Sequence, residues 1–198
     1  VVLAAIGRVP NTDADWFRSS GLKLDERGYV TVDGYGRTNL DGVWALGDIT
    51  PGHALAHRAF EQGITIAEKI AGADPKPVID DTVPQVVFSF PEAASVGLTL
   101  DQAKALEDVV EPKETAYPML SNARMLMSGE GGSMTVVSGA FANNPDMQVV
   151  LGVHIVSPIA SDLIAEAEQL VGNRVPLADA ARLIHPHPTF SETLRSEE

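Results

Sequence analysis

Residues 185–192, with the sequence HPHPTFSE, bring two imidazoles and a carboxylate close together near the end of the chain. Pro186 and Pro188 each fix a φ angle, and they bias the histidines that precede them towards extended backbone. A segment in this position would otherwise fray, because few contacts hold a terminus in place. The stiffening therefore indicates that one of these side chains has to be held in a defined position.

His187 and Glu192 are the two residues of this segment whose spacing suits proton transfer. The carboxylate follows the imidazole by five residues. It can therefore fold back across the proline turn and accept a hydrogen bond from one ring nitrogen, while the other nitrogen faces outward. Such a base can take a proton from a thiol or a hydroxyl group and later return it.

The same segment allows two further interpretations. Thr189 or Ser191 can cap a short helix with Glu192 in its first turn, and this capping is compatible with the oriented base. His185 and His187 can also be considered as metal ligands. We expect the two rings to point in opposite directions, however, so that they would not share one ion. We therefore predict no metal site.

A second candidate site follows the apolar run 43–46, at Gly47 and Asp48. A buried strand that ends in Gly-Asp before a helix places a carboxylate at the sheet edge where open α/β folds bind nucleotides. The carboxylate can accept hydrogen bonds from sugar or ribityl hydroxyls, and the glycine allows close approach of a ligand. The spacing fits equally well with Asp48 as the cap of the next helix.

The stretch HALAH, residues 53–57, leads into that helix. Backbone amides at the start of a helix can stabilise negative charge on a ligand. His57 by itself is more commonly a packed or solvent-facing side chain than a functional one.

The elements that must position these residues fall into two groups. The opening run, VVLAAI, predicts a strand buried on both faces; such a strand needs sheet neighbours, so we expect a longer parent chain. Alternation around Val30 and Val32, together with the run 43–46, predicts two or three more strands. Apolar residues three and four positions apart predict a helix over 54–71 with one buried face. Residues 72–82, which contain prolines and aspartates, predict a linker.

The second group of elements follows the linker. A strand is predicted in VPQVVFSF, followed by a loop over 91–98 and a helix with Thr99 as N-cap and Gln102 as its capping-box partner. Residues 132–157 predict two strands joined by a turn at 143–146, and apolar periodicity predicts helices over 161–170 and 177–183. The predicted fold is α+β, with an antiparallel sheet covered by helices.

The amino-acid composition limits both the class of protein to which the chain can belong and the kinds of partner it can bind. With 44% apolar and 21% charged residues, the chain is typical of globular proteins. A formal charge of -13 disfavours nucleic acid and anionic membrane surfaces as partners. No apolar run approaches the roughly 20 residues of a membrane helix, and no secretory signal is visible, so we expect a cytoplasmic protein. The sequence has no cysteine, which excludes a thiol nucleophile or a disulfide within it.

Seven segments of the sequence occur in an order that resembles the flavin-dependent pyridine nucleotide-disulfide oxidoreductase family: AAIGRVPN, TNLDGVWALGDI, ALAHRAFEQG, VVFSFPEAASVGLT, NARMLM, LGVHIVSPIASDLIAEA and HPHPTFSE. The match runs over nearly the whole chain. Its ending is most similar to that of the dihydrolipoamide dehydrogenases of this family, which has the form His-x-His-Pro-Thr-x-Ser-Glu. The resemblance implies that His187 is the acid/base and that Glu192 is its partner.

The resemblance also implies domains and cofactor sites. Residues 1–11 would end an NAD-binding domain, residues 12–82 would close an α/β FAD-binding domain, and residues 83–198 would form the interface domain of a homodimer. Asp48 would bond the ribityl or phosphate region of the flavin, and Gly7 would lie beside NAD. Backbone amides would line the isoalloxazine ring at four further positions, which are Ala54, Leu55, Ala56 and His57.

The family's Gly-rich FAD turn, CxxxxC redox disulfide and Gly-rich NAD turn are absent from this sequence. The resemblance therefore implies the carboxyl-terminal part of an enzyme that oxidises dihydrolipoamide, the reduced form of a lipoyl group, with NAD through FAD and a disulfide. In that dimer His187 would reach the disulfide of the other subunit. We expect the chain alone to be inactive and to lack both cofactors. A glutathione or mycothiol reductase, a mercuric reductase and a non-catalytic dimerisation module stay open as alternatives.

Overall fold

The computed structural model describes residues 1–195. It divides into two compact units, of which the first is Val1–Asp80 and the second begins at Asp81. None of the helices in the described residues has the length and apolar character of a membrane-spanning segment.

The first unit contains two α-helices, α1 (Asp15–Ser19) and α2 (Ala56–Ile70), and a 3₁₀ turn at Gly47–Ile49. The helix predicted over 54–71 is confirmed by α2. The strands predicted around Val30 are reduced to isolated antiparallel bridges, one between Leu24 and Val30 and another between Arg37 and Trp44. Most of this unit is therefore a set of turns packed beside one long helix.

Two further predictions for this unit are wrong. The opening run 1–6 is exposed and has no regular structure, and the run 43–46 forms no strand, with Val43 and Leu46 still 38% and 37% exposed. An apolar run becomes a buried strand only where neighbouring strands satisfy its backbone groups. The described residues of this unit contain no such strand.

The apolar face of α2 is also not buried as the periodicity predicts. Phe60 is 72% exposed and Ile70 is 63% exposed, whereas the buried residues of the helix are Arg58, Thr65 and Ile66. Periodicity identifies the apolar face of a helix, but burial requires a second element that covers it. Nothing in the described part of this unit covers that face.

The second unit is built on a five-stranded antiparallel sheet of order β1-β2-β5-β4-β3. The strands are β1 (Gln85–Val87), β2 (Glu92–Gly97), β3 (Val109–Pro118), β4 (Ser133–Phe141) and β5 (Asn144–Ser157). The helices are α3 (Leu100–Ala105), α4 (Ala123–Ser128), α5 (Ala160–Gly172) and α6 (Leu177–Ala180), and the described chain closes with a 3₁₀ helix at Phe190–Leu194. The predicted α+β fold is confirmed.

Several local predictions for this unit are confirmed and others are corrected. Thr99 caps α3 and forms the predicted reciprocal capping box with Gln102. The predicted hairpin is present, but Phe141 pairs with Asn144, so its turn is tighter than 143–146. The segment 92–97, predicted as a loop, is the strand β2; its small and polar residues pair because strands lie on both sides of it.

Two elements of this unit, β3 and α4, were not predicted. The strand β3 lies at the edge of the sheet and carries charged side chains between its half-buried positions. Charges of this kind protect an exposed edge from further pairing, and they hide the apolar alternation that reveals a strand. The helix α4 has only six residues, too few for a helical period to show.

The main core lies where α5 packs on one face of the sheet. It also holds residues from outside the sheet, because Met125 of α4 and Leu194 of the terminal 3₁₀ helix are 0% and 5% exposed. The sheet and α5 supply most of its remaining members: Ala94, Val96, Met134, Val136, Val150, Val153, Ile155, Leu163, Ile164, Ala167, Leu170 and Val171. The segment that contains the two histidines is therefore anchored to the core at its far end.

Candidate active site

His187 and Glu192 form a hydrogen-bonded pair at the surface of the second unit. The Nδ1 atom of the imidazole lies 2.8 Å from Oε1 of the carboxylate, and the histidine side chain is 70% exposed. The other carboxylate oxygen, Oε2, accepts a hydrogen bond of 2.8 Å from the backbone N–H of Thr189. Both oxygens of Glu192 are thus occupied, and its orientation relative to the ring is defined on two sides.

The hydrogen bonds to Glu192 determine its charge. The backbone N–H of Thr189, followed by the ring of His187, holds the pKa of this carboxyl group below its usual value. An ionised carboxylate only accepts hydrogen bonds, so the contact with His187 requires a proton on Nδ1. The neutral ring then carries its lone pair on Nε2, which is the form that a general base needs.

The capping interpretation of this segment holds together with the acid/base geometry. Thr189 occupies the N-cap position of the terminal 3₁₀ helix, and Glu192 lies in its first turn. The hydroxyl of Thr189 also donates a hydrogen bond of 2.7 Å to the carbonyl of Pro186. The short helix and the loop before it are therefore joined by side chains and backbone of the same few residues.

His185 has the opposite environment. Its side chain is only 6% exposed, and its Nε2 atom lies 2.6 Å from Oε1 of Glu166 on α5. Its Nδ1 atom is buried without a hydrogen-bond partner among the described residues. The two rings lie in different surroundings, although residues two positions apart share one face of a regular extended segment, because the chain bends at His187. Residues 1–195 contain no cluster of three or more potential ligands that could hold a metal.

A cavity of about 260 Å³ opens beside the pair. Its wall includes His187, Tyr117, Ser121 and Asn122. These polar side chains can hold a small polar or amphipathic group next to the ring.

Sequence reasoning did not identify Asn122 as a part of this site. It caps α4, and its side chain also reaches the backbone of Thr189, to whose carbonyl it donates a hydrogen bond of 3.0 Å. An asparagine before a short apolar run could have indicated a helix cap. No sequence pattern could have shown the second contact, which joins residues 67 positions apart.

In the first unit, Asp48 and Ala54 come together at a second cavity of about 190 Å³, whose wall also includes Arg8 and Tyr29. Asp48 is exposed, and it does not cap α2, because the N-cap of that helix is Leu55. The capping alternative for Asp48 is therefore wrong.

The other candidates in the first unit lie on either side of this cavity. Ala56 and His57 form the exposed first residues of α2, directly after Leu55. Gly7 lies in the exposed coil near Arg8, but it does not line the cavity. The structure thus brings together part of the predicted cofactor site, and the role of each residue stays a prediction.

Each of the two units matches a model of a known protein family. The model of the pyridine nucleotide-disulphide oxidoreductase dimerisation domain matches residues 83–197, and the model of pyridine nucleotide-disulphide oxidoreductases matches residues 1–63. The chain belongs to the pyridine nucleotide-disulphide oxidoreductase family. The resemblance that the sequence motifs indicate is thereby confirmed, and the second unit has the fold of this family's dimerisation domain.

Its relatives include several dihydrolipoyl dehydrogenases. That of Cupriavidus necator is 41% identical over 98% of this chain, which corresponds to 40% of that protein. That of Geobacillus stearothermophilus is 38% identical over 96% of this chain and 39% of its own length. The chain therefore spans about two fifths of the length of these family members.

Solved structures of the family agree with this placement. LpdA from Mycobacterium tuberculosis superposes with a TM-score of 0.86 at 31% identity, covering 96% of this chain and 40% of that protein. The flavoprotein disulfide reductase RclA from Escherichia coli has a TM-score of 0.78 at 23% identity, over 96% of this chain and 42% of its own. The second likeness shows the shared oxidoreductase fold alone.

Proposed function

We propose that this chain is the carboxyl-terminal portion of a dihydrolipoyl dehydrogenase, in which His187 and Glu192 act as the acid/base pair. The observation that carries the proposal is the 2.8 Å contact between Nδ1 of an exposed imidazole and an ionised carboxylate. Relatives of that name, at 35–41% identity, support the choice of substrate class. The substrate is accordingly the dithiol form of a lipoyl group.

The geometry of the pair suits the first step of that reaction. Glu192 holds the ring in the tautomer with its proton on Nδ1, so the Nε2 atom of His187 can accept the proton of a substrate thiol. The resulting thiolate is the species that attacks a disulfide. The imidazolium that forms is stabilised by the neighbouring carboxylate, and it later returns its proton to a sulfur. Because the chain has no cysteine, the disulfide belongs to another part of the longer protein.

The residues of the first unit fit part of an FAD site, with NAD as the second cofactor of the longer protein. Asp48 offers a carboxylate for hydroxyl groups, and the amino end of α2, from Ala54 to His57, offers backbone donors beside an open cavity. Gly7 would face NAD. When bound, these cofactors supply the electron transfer, while the protein binds and orients them. We expect the chain on its own to retain neither cofactor and to be inactive.

The second unit would join two copies of the longer protein. It has the dimerisation-domain fold, and it exposes large apolar side chains, among them Phe88 at 79%, Phe90 at 84% and Met127 at 67%. Exposed apolar side chains that form a contiguous patch mark surfaces that bind another protein. A homodimer through residues 83–198 would let His187 of one subunit serve a disulfide of the other.

The decisive test is His187→Gln in the full-length enzyme. The amide cannot exchange a proton as a base does, so we expect dihydrolipoamide-dependent NADH formation to fall by about 10²–10⁴-fold. Direct reduction of the flavin by NADH does not use this base, and it should stay near the unsubstituted rate. Turnover within a few-fold of the unsubstituted enzyme would reject the proposal.

A matched control is His53→Gln, which makes the same chemical change at a histidine outside the proposed machinery. We expect this variant to keep its lipoamide turnover. If both variants lost activity equally, the effect could not be assigned to a base at position 187, and the assignment would be withdrawn.

A further inference from the structure

Asn122 makes more hydrogen bonds than a helix cap requires. The residue is 8% exposed and stands at the N-cap of α4. Its side-chain oxygen accepts hydrogen bonds from the backbone N–H groups of Arg124 and Met125, at 2.9 and 3.2 Å. These two bonds satisfy the capping function completely, and they use only the oxygen of the amide.

The amide nitrogen of Asn122 is directed at the terminal segment. Nδ2 donates to the carbonyl of Thr189 at 3.0 Å and to the hydroxyl of Thr193 at 3.1 Å, with a longer contact of 3.4 Å to the carbonyl of Phe190. The two N–H groups thus hold residues 67 to 71 positions further along the chain. A buried amide with all its donors and acceptors engaged has little freedom to move.

The hydrogen-bond chain continues from there to the imidazole. Thr189, whose carbonyl is held by Asn122, donates its own N–H to Oε2 of Glu192 at 2.8 Å. The other oxygen of Glu192 is 2.8 Å from Nδ1 of His187. The path from α4 to the ring therefore contains no link longer than 3.0 Å.

We propose that Asn122 is a positioning residue, which couples α4 to Glu192 and so sets the place and the tautomer of the His187 ring. Other contacts between the same elements support this coupling. The guanidinium of Arg124 lies 5.6 Å from the centre of the Phe190 ring, and Met125 and Leu194 belong to one apolar core. The apolar contacts bring the two elements together, and the amide determines their register.

Such positioning matters because the rate of a catalysed step falls steeply when the reacting groups are displaced. A displacement of reacting groups by about 1 Å can cost about a hundredfold in rate. That the positioned ring is a catalytic base rests on the function proposed above. The positioning itself does not, because it can be observed in the chain without substrate or cofactor.

The test uses Asn122→Asp in the 198-residue chain. Aspartate caps a helix as well as asparagine does, so α4 keeps its cap. The carboxylate cannot donate, however, and it would face the carbonyl of Thr189. The ¹⁵N chemical shifts of the imidazole ring report which nitrogen carries the proton. In the unsubstituted chain we expect His187 with its proton on Nδ1, and in the variant a several-fold larger share of the Nε2–H form.

Two further variants make the result interpretable. Asn39→Asp applies the same change to an amide that also accepts from one backbone group and donates to another, those of Lys23 and Gly21 in the first unit. It should leave the ring signals unchanged. Thr193→Val removes one acceptor of the Asn122 amide without touching the cap. It should shift the tautomer in the same direction by a smaller amount, and it decides the question if Asn122→Asp does not fold.

Unchanged ring signals in both Asn122→Asp and Thr193→Val, with the sheet amide signals intact, would overturn the positioning role. Loss of turnover in His187→Gln together with those unchanged signals would leave the proposed function standing. Conversely, a tautomer shift together with full turnover in His187→Gln would support the positioning and reject the function.

Discussion

His185 and His187 are two residues apart, and their surroundings are opposite. One imidazole is 6% exposed and the other is 70% exposed, and each has its own carboxylate partner, Glu166 or Glu192. Residues two apart share a face of a regular strand, so the opposite surroundings reflect the bend in the chain at His187. A buried ring with a partner fixes the segment to α5, which leaves the exposed ring available for chemistry.

Because His185 holds the segment and His187 is the proposed base, we expect Glu166→Ala to destabilise the second unit and to leave His187 in place. The variant leaves a buried imidazole with no hydrogen-bond partner at either nitrogen, because Nδ1 is already unpaired among the described residues. The loss of a partner by a buried polar group costs about 1–3 kcal/mol. Urea unfolding, monitored by the signals of the β-sheet, should show the free energy of unfolding reduced by that amount.

Glu168→Ala is the matched control on the same helix. Glu168 is half-buried, and its carboxylate accepts a hydrogen bond from the side chain of Gln169 on the same helix. Its removal should change the free energy of unfolding by less than about 0.5 kcal/mol. Equal losses of unfolding free energy in the two variants would show that the buried contact of His185 stabilises the unit no more than the contact of Glu168 does.

At the scale of elements, two glycines pair where β2 ends beside β5, Gly97 and Gly152. A Cβ atom on Gly152 would collide with the carbonyl oxygen of Leu98. Gly97 has φ of 81°, a conformation that residues with a side chain rarely adopt. The end of β2 and the turn into α3 are thus placed directly against the backbone of β5.

Gly152→Ala is therefore expected to destabilise the sheet by sterics alone, since its contact is with backbone that cannot rotate away. Overpacking of this kind costs about 1–3 kcal/mol or more. Gly7→Ala is the control, because a Cβ there would meet no atom within 4 Å. We expect the unfolding midpoint in urea to fall for the first variant and to stay constant for the second. Equal midpoints would contradict the close approach.

At the scale of the whole molecule, the second unit exposes apolar side chains on α4 beside the candidate site. Leu126 and Met127 are 64% and 67% exposed, although the adjacent Met125 is fully buried. The proposed homodimer would cover such side chains. Burial of apolar surface is the main favourable contribution to association, at about 25 cal/mol per Å².

The double variant Leu126→Glu with Met127→Glu is expected to weaken association of the chain, because charged groups would have to lose water in the interface. Sedimentation velocity over a range of concentrations should show a dimer for the unsubstituted chain and a dissociation constant at least tenfold larger for the variant. Ile64→Glu, at a 53% exposed position in the first unit, is the control and should leave the dimer intact. A monomeric unsubstituted chain would contradict the proposed dimer.

Local sequence patterns determined those elements whose stabilising contacts lie within a few residues. The long helix α2, the capping box of α3 and the β4–β5 hairpin all follow from spacing and turn chemistry along the chain. The pairing of His187 with Glu192 belongs to the same class, because five residues and a proline turn limit where the carboxylate can lie.

Only the tertiary structure decided features that depend on distant parts of the chain. Whether an apolar run such as 1–6 becomes a strand depends on neighbouring strands, and the burial of one face of α2 depends on an element that covers it. The contact of Asn122 with Thr189 spans 67 residues, so no local spacing encodes it. Sequence thus determined which side chain could act as the base, and tertiary packing decided what holds that side chain in place.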